Sequence, residues 1–163
     1  MNSAIERLLS LRVQDVMNSQ VVPIPDHYTM SEAACLLKQN HISGAPVVDS
    51  LGKCVGVIST SDFVTKEAMD TCSEELGFGS HHVVSEGTPC RPLSIEEVNS
   101  QGVRQHMCTA VRSVRPEATI MEASRSMCGD HLHRLIVLDE SGRVAGVVSS
   151  LDIVASMVAA IEE

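Results

Sequence analysis

The 163-residue chain contains very few aromatic residues, with one Tyr, two Phe and no Trp, or 2% of the sequence. Without such rings it cannot offer an aromatic face for stacking nucleic-acid bases, and its core must be aliphatic. Basic residues are also scarce: 12 Lys and Arg stand against 21 Asp and Glu, giving a formal net charge of −9. This balance argues against a binder of the phosphate backbone, so we expect no nucleic-acid partner.

Long apolar runs are missing as well. The longest, Ile153–Ile161, has nine residues and includes Ser156, whereas a membrane helix needs roughly 18–20 apolar residues. The N-terminus, Met1–Leu9, carries Glu6 and Arg7 and lacks the apolar centre of a secretory signal. We therefore expect a soluble, cytoplasmic protein with no membrane span.

The six cysteines and seven histidines show no short metal-binding spacing, because Cys-x-x-Cys and His-x-x-x-His are both absent. The cysteines are predicted to be small buried hydrophobic residues, and no metal site is expected. The alternative is a metal site formed by Cys72, His81, His82 and Cys90.

The chain repeats itself with an offset of 90 residues, which places Gly56–Asp62 over Gly146–Asp152. The register holds without a gap from Val13–Val64 onto Val103–Val154, with 15 identities in 52 positions. Ordinary composition would give roughly three or four identities. The repeat is therefore a duplication of one structural unit.

Each copy shows the same local signals. Thr29 and Thr119 stand at helix N-cap positions, with Glu32 and Glu122 three residues later, which is the pattern of a capping box. The apolar runs and turn residues around them predict a strand–helix–strand–strand–helix unit in each copy. This order predicts an α/β (α+β) fold in which the two copies pack sheet to sheet about a pseudo-twofold axis.

The chain is predicted to divide into a first motif with an N-terminal helix at 1–70, a linker loop at 71–92, and a second motif with a C-terminal helix at 93–163. His41 and His131 occupy equivalent positions and are predicted to end helices.

The duplicated β-α-β-β-α unit, which ends in Gly56–Asp62 and Gly146–Asp152, resembles the CBS domain pair, named after cystathionine β-synthase. The second copy, through His133–Asp139 and Gly146–Asp152, is similar to the adenylate-sensing γ subunit of AMP-activated protein kinase. The resemblance implies a disc of paired modules, often dimeric, whose clefts bind adenosine-containing ligands.

That family implies a regulatory sensor module, which binds AMP, ADP or ATP in the cleft between two motifs and transmits occupancy to a partner or dimer. The regulated protein is unknown, and a homodimer is expected. The sequence contains no phosphate-binding Gly-x-x-x-x-Gly-Lys loop, nucleophile elbow or zinc-protease motif. We therefore expect no enzymatic activity and no catalytic cofactor.

The candidate ligand residues follow from this chemistry. A carboxylate at a strand-to-helix junction can accept two hydrogen bonds from a ribose diol, which is the role predicted for Asp62 and Asp152. Helix starts, hydroxyls and cations suit a phosphate, and the predicted contacts are Ser59, Ser61, Ser149, His133 and Arg134. The alternative for both serine–aspartate pairs is a plain helix cap. The alternative for Arg134 is a surface salt bridge to a nearby acid.

The adenine is predicted to lie between apolar walls and to be recognised by backbone groups. The predicted pockets are lined by Val22, Pro23, Ala45 and Pro46 in the first copy, and by Arg112, Ser113, Leu135 and Ile136 in the second. Pro46 lacks the N–H that Ile136 keeps, so the two pockets should differ. Arg104 and Arg112 are further candidate phosphate contacts.

Two alternatives to a sensor remain open. One is a ligand-free dimerisation and protein-interaction scaffold, held by the helix residues Ile153, Val154, Met157, Val158 and Ile161. The other is a redox-responsive interaction protein acting through cysteines, foremost Cys72 or Cys90.

Overall fold

The computed structural model describes residues 2–63, 94, 96 and 100–162. Its helices and strands, in chain order, are α1 (Asn2–Ser10), α2 (Val13–Val16), β1 (Ile24–Pro25), α3 (Met30–Gln39), β2 (Gly44–Val48), β3 (Cys54–Ser59), β4 (Ser113–Val114), α4 (Ile120–Gly129), β5 (Arg134–Leu138), β6 (Val144–Ser149) and α5 (Ser150–Glu162). Short 3-10 helices cover Thr60–Phe63 and Val103–Gln105. The predicted linker at 71–92 lies outside the described residues.

Each copy forms a three-stranded sheet of the same topology. The orders are β1-β2-β3 and β4-β5-β6, with the first pair parallel and the second antiparallel in both. Even the register repeats, because Gly44 lies opposite Ser59 just as Arg134 lies opposite Ser149. The predicted mixed α/β repeat is confirmed, with α5 as the closing helix of the second copy.

The predicted capping boxes start the first long helix of each copy. The Thr29 N–H donates to Glu32 Oε2 over 2.8 Å, and the Glu32 N–H donates to Thr29 Oγ1 over 3.2 Å. Thr119 and Glu122 make the same two bonds over 2.7 and 3.1 Å. The bond from the threonine N–H is the main reason that the pKa values of both glutamates lie below their usual range.

The same helices end at histidines in a left-handed conformation. His41 and His131 both have φ of 53°. The N–H of the next residue reaches back to the helix, from Ile42 to Leu37 O over 3.0 Å and from Leu132 to Met127 O over 2.8 Å. These bonds are typical of a Schellman C-cap, where glycine is the usual residue.

The described residues form two compact units, which we name by the repeat whose sheet each contains. The first-repeat unit is Val22–Val111, and the second-repeat unit joins Met1–Val21 to Arg112–Glu163. The residues that lead into each repeat therefore pack with the other repeat's sheet. Val13 is fully buried in the core of the second-repeat unit, and Val103 is fully buried in that of the first. Compact units and sequence repeats thus divide the chain differently.

Both cores are aliphatic, as expected from the composition. The buried hydrophobic cluster of the first-repeat unit contains Ile24, Met30, Ala33, Leu37, Ala45, Val47, Ile58 and Val103. The cluster of the second-repeat unit contains Val13, Ala123, Met127, Leu135, Val137, Val148 and Ile153. Ile153 is only 7% exposed, so its predicted place on a dimerisation face is wrong.

None of the helices in the described part of the chain is both long enough and apolar enough to cross a bilayer.

Candidate functional site

The first strand-to-helix junction (Ser59–Asp62) follows β3 in the first-repeat unit. The Ser59 N–H and hydroxyl both donate to Asp62 Oδ2, over 2.6 and 2.9 Å. Ser61 Oγ lies 2.7 Å from Ser59 Oγ. Because the single Ser59 hydroxyl hydrogen points to Asp62, Ser61 is the donor in that contact. The junction therefore carries a chain of two hydroxyls that ends on the carboxylate.

The second strand-to-helix junction (Ser149–Asp152) follows β6 in the second-repeat unit. The Ser149 N–H and hydroxyl donate to Asp152 Oδ2 over 2.8 and 2.6 Å, and the Asp152 N–H donates back to Ser149 Oγ over 3.2 Å. Leu151 occupies the position of Ser61 and is 76% exposed. The predicted helix cap is therefore present at the second junction.

Capping engages only one oxygen of each carboxylate. All bonds to Asp62 and Asp152 run through Oδ2, and within the described part of the chain Oδ1 accepts none. Both side chains are half-buried. Capping thus fixes the direction of each carboxylate and leaves Oδ1 able to accept a hydrogen bond from a hydroxyl of a ligand.

The predicted phosphate contacts of the second copy meet at one corner of their sheet. Arg134 lies directly opposite Ser149 in the β5–β6 pair, so both side chains project to the same face. The neighbouring pair, Leu135 and Val148, is fully buried on the other face. The His133 carbonyl accepts from the Ser150 N–H over 3.0 Å, which ties the residue before β5 to the first residue of α5.

The same corner of the first-repeat unit carries no charged residue at the matching positions. Gly44 lies opposite Ser59, and the Ser43 carbonyl accepts from the Thr60 N–H over 2.9 Å. The backbone is therefore equivalent in both units, while the pair His133 and Arg134 is replaced by Ser43 and Gly44.

The side chains of the predicted adenine-pocket residues do not line a common surface. Ala45 is 6% exposed and Leu135 is fully buried, because each faces the core of its own unit. Pro46 is also fully buried. Of the remaining predicted residues, Val22 and Ile136 are half-buried, while Pro23, Arg112 and Ser113 are exposed. For Ala45 and Leu135 the prediction of side-chain walls is wrong, since an alternating strand turns them inward.

The predicted use of the Ile136 N–H in base recognition is also wrong. That N–H donates to the Arg112 carbonyl over 3.2 Å, in a bond that extends the β4–β5 pair. Pro46 cannot make the equivalent bond to Val22, since it has no N–H. The Val22 carbonyl therefore accepts no hydrogen bond from Pro46, whereas the Arg112 carbonyl accepts one from the Ile136 N–H.

The two additional arginines have acidic neighbours. Arg104 Nε and Nη2 donate to Asp26 Oδ2 over 2.8 and 2.7 Å. Arg112 Nη2 lies 3.5 Å from Asp130 Oδ1, with the arginine side chain 62% exposed. Arg104 is thus committed to an ion pair, while the long and exposed Arg112 pair is the weaker of the two.

A positioning contact that we did not predict supports each junction. Met17 packs on Gly146 in β6, and Met107 packs on Gly56 in β3. Beside them, Asn18 and Val147 exchange two backbone hydrogen bonds of 2.9 Å, as do Val57 and Cys108. The signal was available in the sequence, since both methionines and both glycines are identities of the repeat.

The four cysteines that the structure describes differ from the prediction of small buried residues. Cys35 and Cys128 are exposed, because they lie on the solvent-facing sides of α3 and α4. Cys54 is half-buried, and this burial raises the pKa of its thiol. Among the residues that the structure describes, no three His, Cys, Asp or Glu side chains cluster as a metal site. Cys72, His81, His82 and Cys90 lie outside that part of the chain.

Both copies of the repeat match a known protein family. The CBS domain family matches residues 13–68 and 103–159. An uncharacterized protein of Methanocaldococcus jannaschii is 30% identical over 156 residues, with 90% of both chains covered. The predicted likeness to the γ subunit is confirmed: subunit gamma-3 of the 5′-AMP-activated protein kinase of Bos taurus is 28% identical over 118 residues, or 72% of this chain and 20% of that protein.

Among solved structures, CBSX2 of Arabidopsis thaliana in complex with AMP matches with a TM-score of 0.67. It is 21% identical, and the alignment covers 93% of this chain and 98% of that one. At this identity the likeness shows the fold.

Proposed function

Because the chain belongs to the CBS domain family, we propose that it is a regulatory module whose two strand-to-helix junctions bind an adenine nucleotide, AMP, ADP or ATP. The observation that carries this proposal is the hydrogen bonding of the two aspartates. Each is held by its serine through Oδ2 and keeps Oδ1 for a ligand. A carboxylate fixed in this way can accept from a ribose diol without first being ordered.

The predicted ribose and phosphate residues each have a role in this proposal. Asp62 and Asp152 accept from the ribose hydroxyls of the ligand. The phosphate contacts are the hydroxyls of Ser59, Ser61 and Ser149 and the side chains of His133 and Arg134. The AMP that is bound by the related CBSX2 supports an adenosine ligand, and its binding to this chain is our proposal.

The proposed role is regulation rather than catalysis. A bound nucleotide alters a partner only if it binds two states of the protein with different affinity. The module would then pass its occupancy to a second copy or to another protein. The gamma-3 subunit belongs to a kinase named for its activation by AMP, which supports such a role.

Calorimetric titration of AMP, ADP and ATP tests the proposal, with Asp62→Asn and Asp152→Asn as the variants. Asparagine keeps an amide oxygen for the cap but loses the charge and one acceptor, so the fold should survive. We expect saturable binding to the wild type and a loss of about 10- to 100-fold in one or both variants. Glu140→Gln, which removes one exposed charge, serves as the control. Equal affinity in all four proteins would contradict the proposal.

A homodimer is the second candidate, and one surface supports it. Leu151, Val154, Met157 and Val158 follow one another at helical spacing on α5 and are 76%, 52%, 44% and 48% exposed. Such a stripe commonly marks a contact with another chain.

The dimer is tested by light scattering of the wild type and the Val154→Glu variant. We expect a dimeric mass for the wild type and a monomeric mass for the variant, because the substitution places a charge within the apolar stripe. Leu51→Glu is the matched control, since Leu51 is 64% exposed in the β2–β3 turn. A wild type that is monomeric at micromolar concentration would remove this candidate.

A further inference from the structure

Each unit contains a close contact between a methionine and a buried glycine. Met17 packs on Gly146, and Met107 packs on Gly56 in the same way. A Cβ atom on Gly146 would lie 2.7 Å from Met17 Sδ and 3.1 Å from Met17 Cγ. The thioether therefore fills the space that the missing side chain leaves, and no further atom fits between the sulfur and the glycine.

The methionine–glycine contacts adjoin the pairing of two lead-in segments, residues 11–18 and 101–108, with the edge strand of each sheet. The residue after each methionine exchanges two backbone hydrogen bonds of 2.9 Å with the residue after the glycine. The pairs are Asn18 with Val147 in β6, and Cys108 with Val57 in β3. Each pair lies two residues before the serine of its junction, so a change at the methionine reaches the junction through the backbone.

The burial of these two methionines differs from that of the other methionines that the structure describes. Met30 and Met127 are 0% and 4% exposed, whereas Met121 and Met157 are 41% and 44% exposed. Met17 and Met107 are half-buried and pack against the apolar core of their units. They therefore combine a side of the residue that is open to a small oxidant with a contact that the core depends on.

Hydrogen peroxide converts a thioether into a sulfoxide. The sulfur attacks one peroxide oxygen, and an S–O bond forms as the O–O bond breaks. The sulfur loses two electrons, and the other oxygen leaves as water. The sulfoxide is polar and needs hydrogen-bond partners that an apolar core does not offer. Because its oxygen has no space against the glycine, the side chain must turn toward water and give up the contact.

We propose that the two methionine–glycine contacts form a peroxide-sensitive switch. In the reduced protein, each thioether holds its lead-in segment on the sheet. Oxidation of Met17 releases segment 11–18 from β6, and oxidation of Met107 releases segment 101–108 from β3. Reduction by a methionine sulfoxide reductase restores both contacts. The inference goes beyond the proposed function, because no step of it involves a nucleotide.

Amide hydrogen exchange measures the release directly, since the Val147 N–H donates to the Asn18 carbonyl across the pairing. The full chain is treated with hydrogen peroxide and then with dithiothreitol, which reduces oxidised thiols and leaves sulfoxides. Peptide mass spectrometry locates the sulfoxides. We expect exchange at Val147 to become about tenfold faster or more once Met17 is oxidised. The matching amide, Val57, should respond in the same way to oxidation of Met107.

Met17→Leu and Met107→Leu are the matched variants, because leucine has a similar volume and cannot form a sulfoxide. In Met17→Leu, peroxide should no longer accelerate exchange at Val147 and should still accelerate it at Val57. Met107→Leu should show the reverse. Met121→Leu removes an exposed methionine and should leave both responses as they are in the wild type.

Four results would overturn the inference. Unchanged exchange at Val147 in protein oxidised at Met17 would show that the contact does not hold the segment. A response that persists in Met17→Leu would assign it to another residue. A Met17 that stays reduced while Met121 is fully oxidised would show that peroxide does not reach the contact. Exchange that stays fast after treatment with the reductase would show that the change is damage and not a switch.

Discussion

A Cβ atom on Gly146 would lie 2.7 Å from Met17 Sδ and 2.9 Å from the Asn18 carbonyl oxygen. The second distance matters more, since a backbone oxygen cannot move aside as a flexible side chain can. Glycine is therefore required where the segment that leads into the first repeat pairs with β6. This contact lies three residues before Ser149 and sets the position of the second junction.

The first prediction is that Gly146→Ala lowers the free energy of unfolding by about 1–3 kcal/mol, the usual effect of overpacking. Gly56→Ala should behave alike, because its Cβ would meet Met107 Sδ at 2.6 Å and Cys108 O at 3.0 Å. Gly129→Ala is the control, since nothing lies within 4 Å of its Cβ. Thermal and urea unfolding of the three variants measure the effect. A Gly146→Ala protein as stable as the control would show that the contact is not close in solution.

The second prediction concerns pH and the capping boxes. The pKa of Glu32 lies below its usual range, mainly because its carboxylate accepts from the Thr29 N–H. The ionised form therefore stabilises the folded state. This stabilisation is fully present above the pKa that Glu32 has in the unfolded chain. It is lost as the pH falls through the lower pKa that Glu32 has in the folded protein.

Glu32→Gln should therefore be less stable than the wild type at about pH 7, and the gap should close toward about pH 3. Urea unfolding at a series of pH values measures it, with Glu140→Gln as the control for losing one exposed charge. Glu122→Gln should repeat the result, since the pKa of Glu122 is lowered in the same way. A gap that stays constant with pH would contradict this account of the cap.

The third prediction concerns the helix ends at His41 and His131, both with φ of 53°. A non-glycine residue in this region is strained, so His41→Gly and His131→Gly should each raise the free energy of unfolding by about 1 kcal/mol. Gln39→Gly replaces the last residue of α3 and should instead lower it, by less than the roughly 1 kcal/mol that glycine costs in a helix interior. Unfolding by urea separates the two cases. A destabilised His41→Gly protein would mean that the imidazole makes a contact worth more than the strain.

The sequence predicted the repeating part of the fold well, because local signals determine it. The Thr29–Glu32 capping box depends on residues only three positions apart. The matching register of the two sheets follows from a duplication that retains its spacing over 52 positions. The junction pairs were predicted for the same reason, as Ser59 and Asp62 are neighbours along the chain.

Features that depend on distant contacts were not predicted. The burial of Val13 with the second repeat and of Val103 with the first follows from packing across some 100 residues, since Val13 N donates to Ala118 O. The exposure of Cys35 depends on which face of α3 is covered. The inward turn of Leu135 depends on the register of β5 against β6, and an apolar run alone does not reveal it.

The central claim is that an aspartate at a strand-to-helix junction holds a ribose hydroxyl, and a double-mutant cycle tests it most directly. AMP and 2′-deoxy-AMP are titrated into the wild type and into Asp152→Asn. We predict that losing the hydroxyl weakens binding about tenfold in the wild type and less than about threefold in the variant, since the partner is already absent. Equal losses in both proteins, or no loss in the wild type, would contradict the claim.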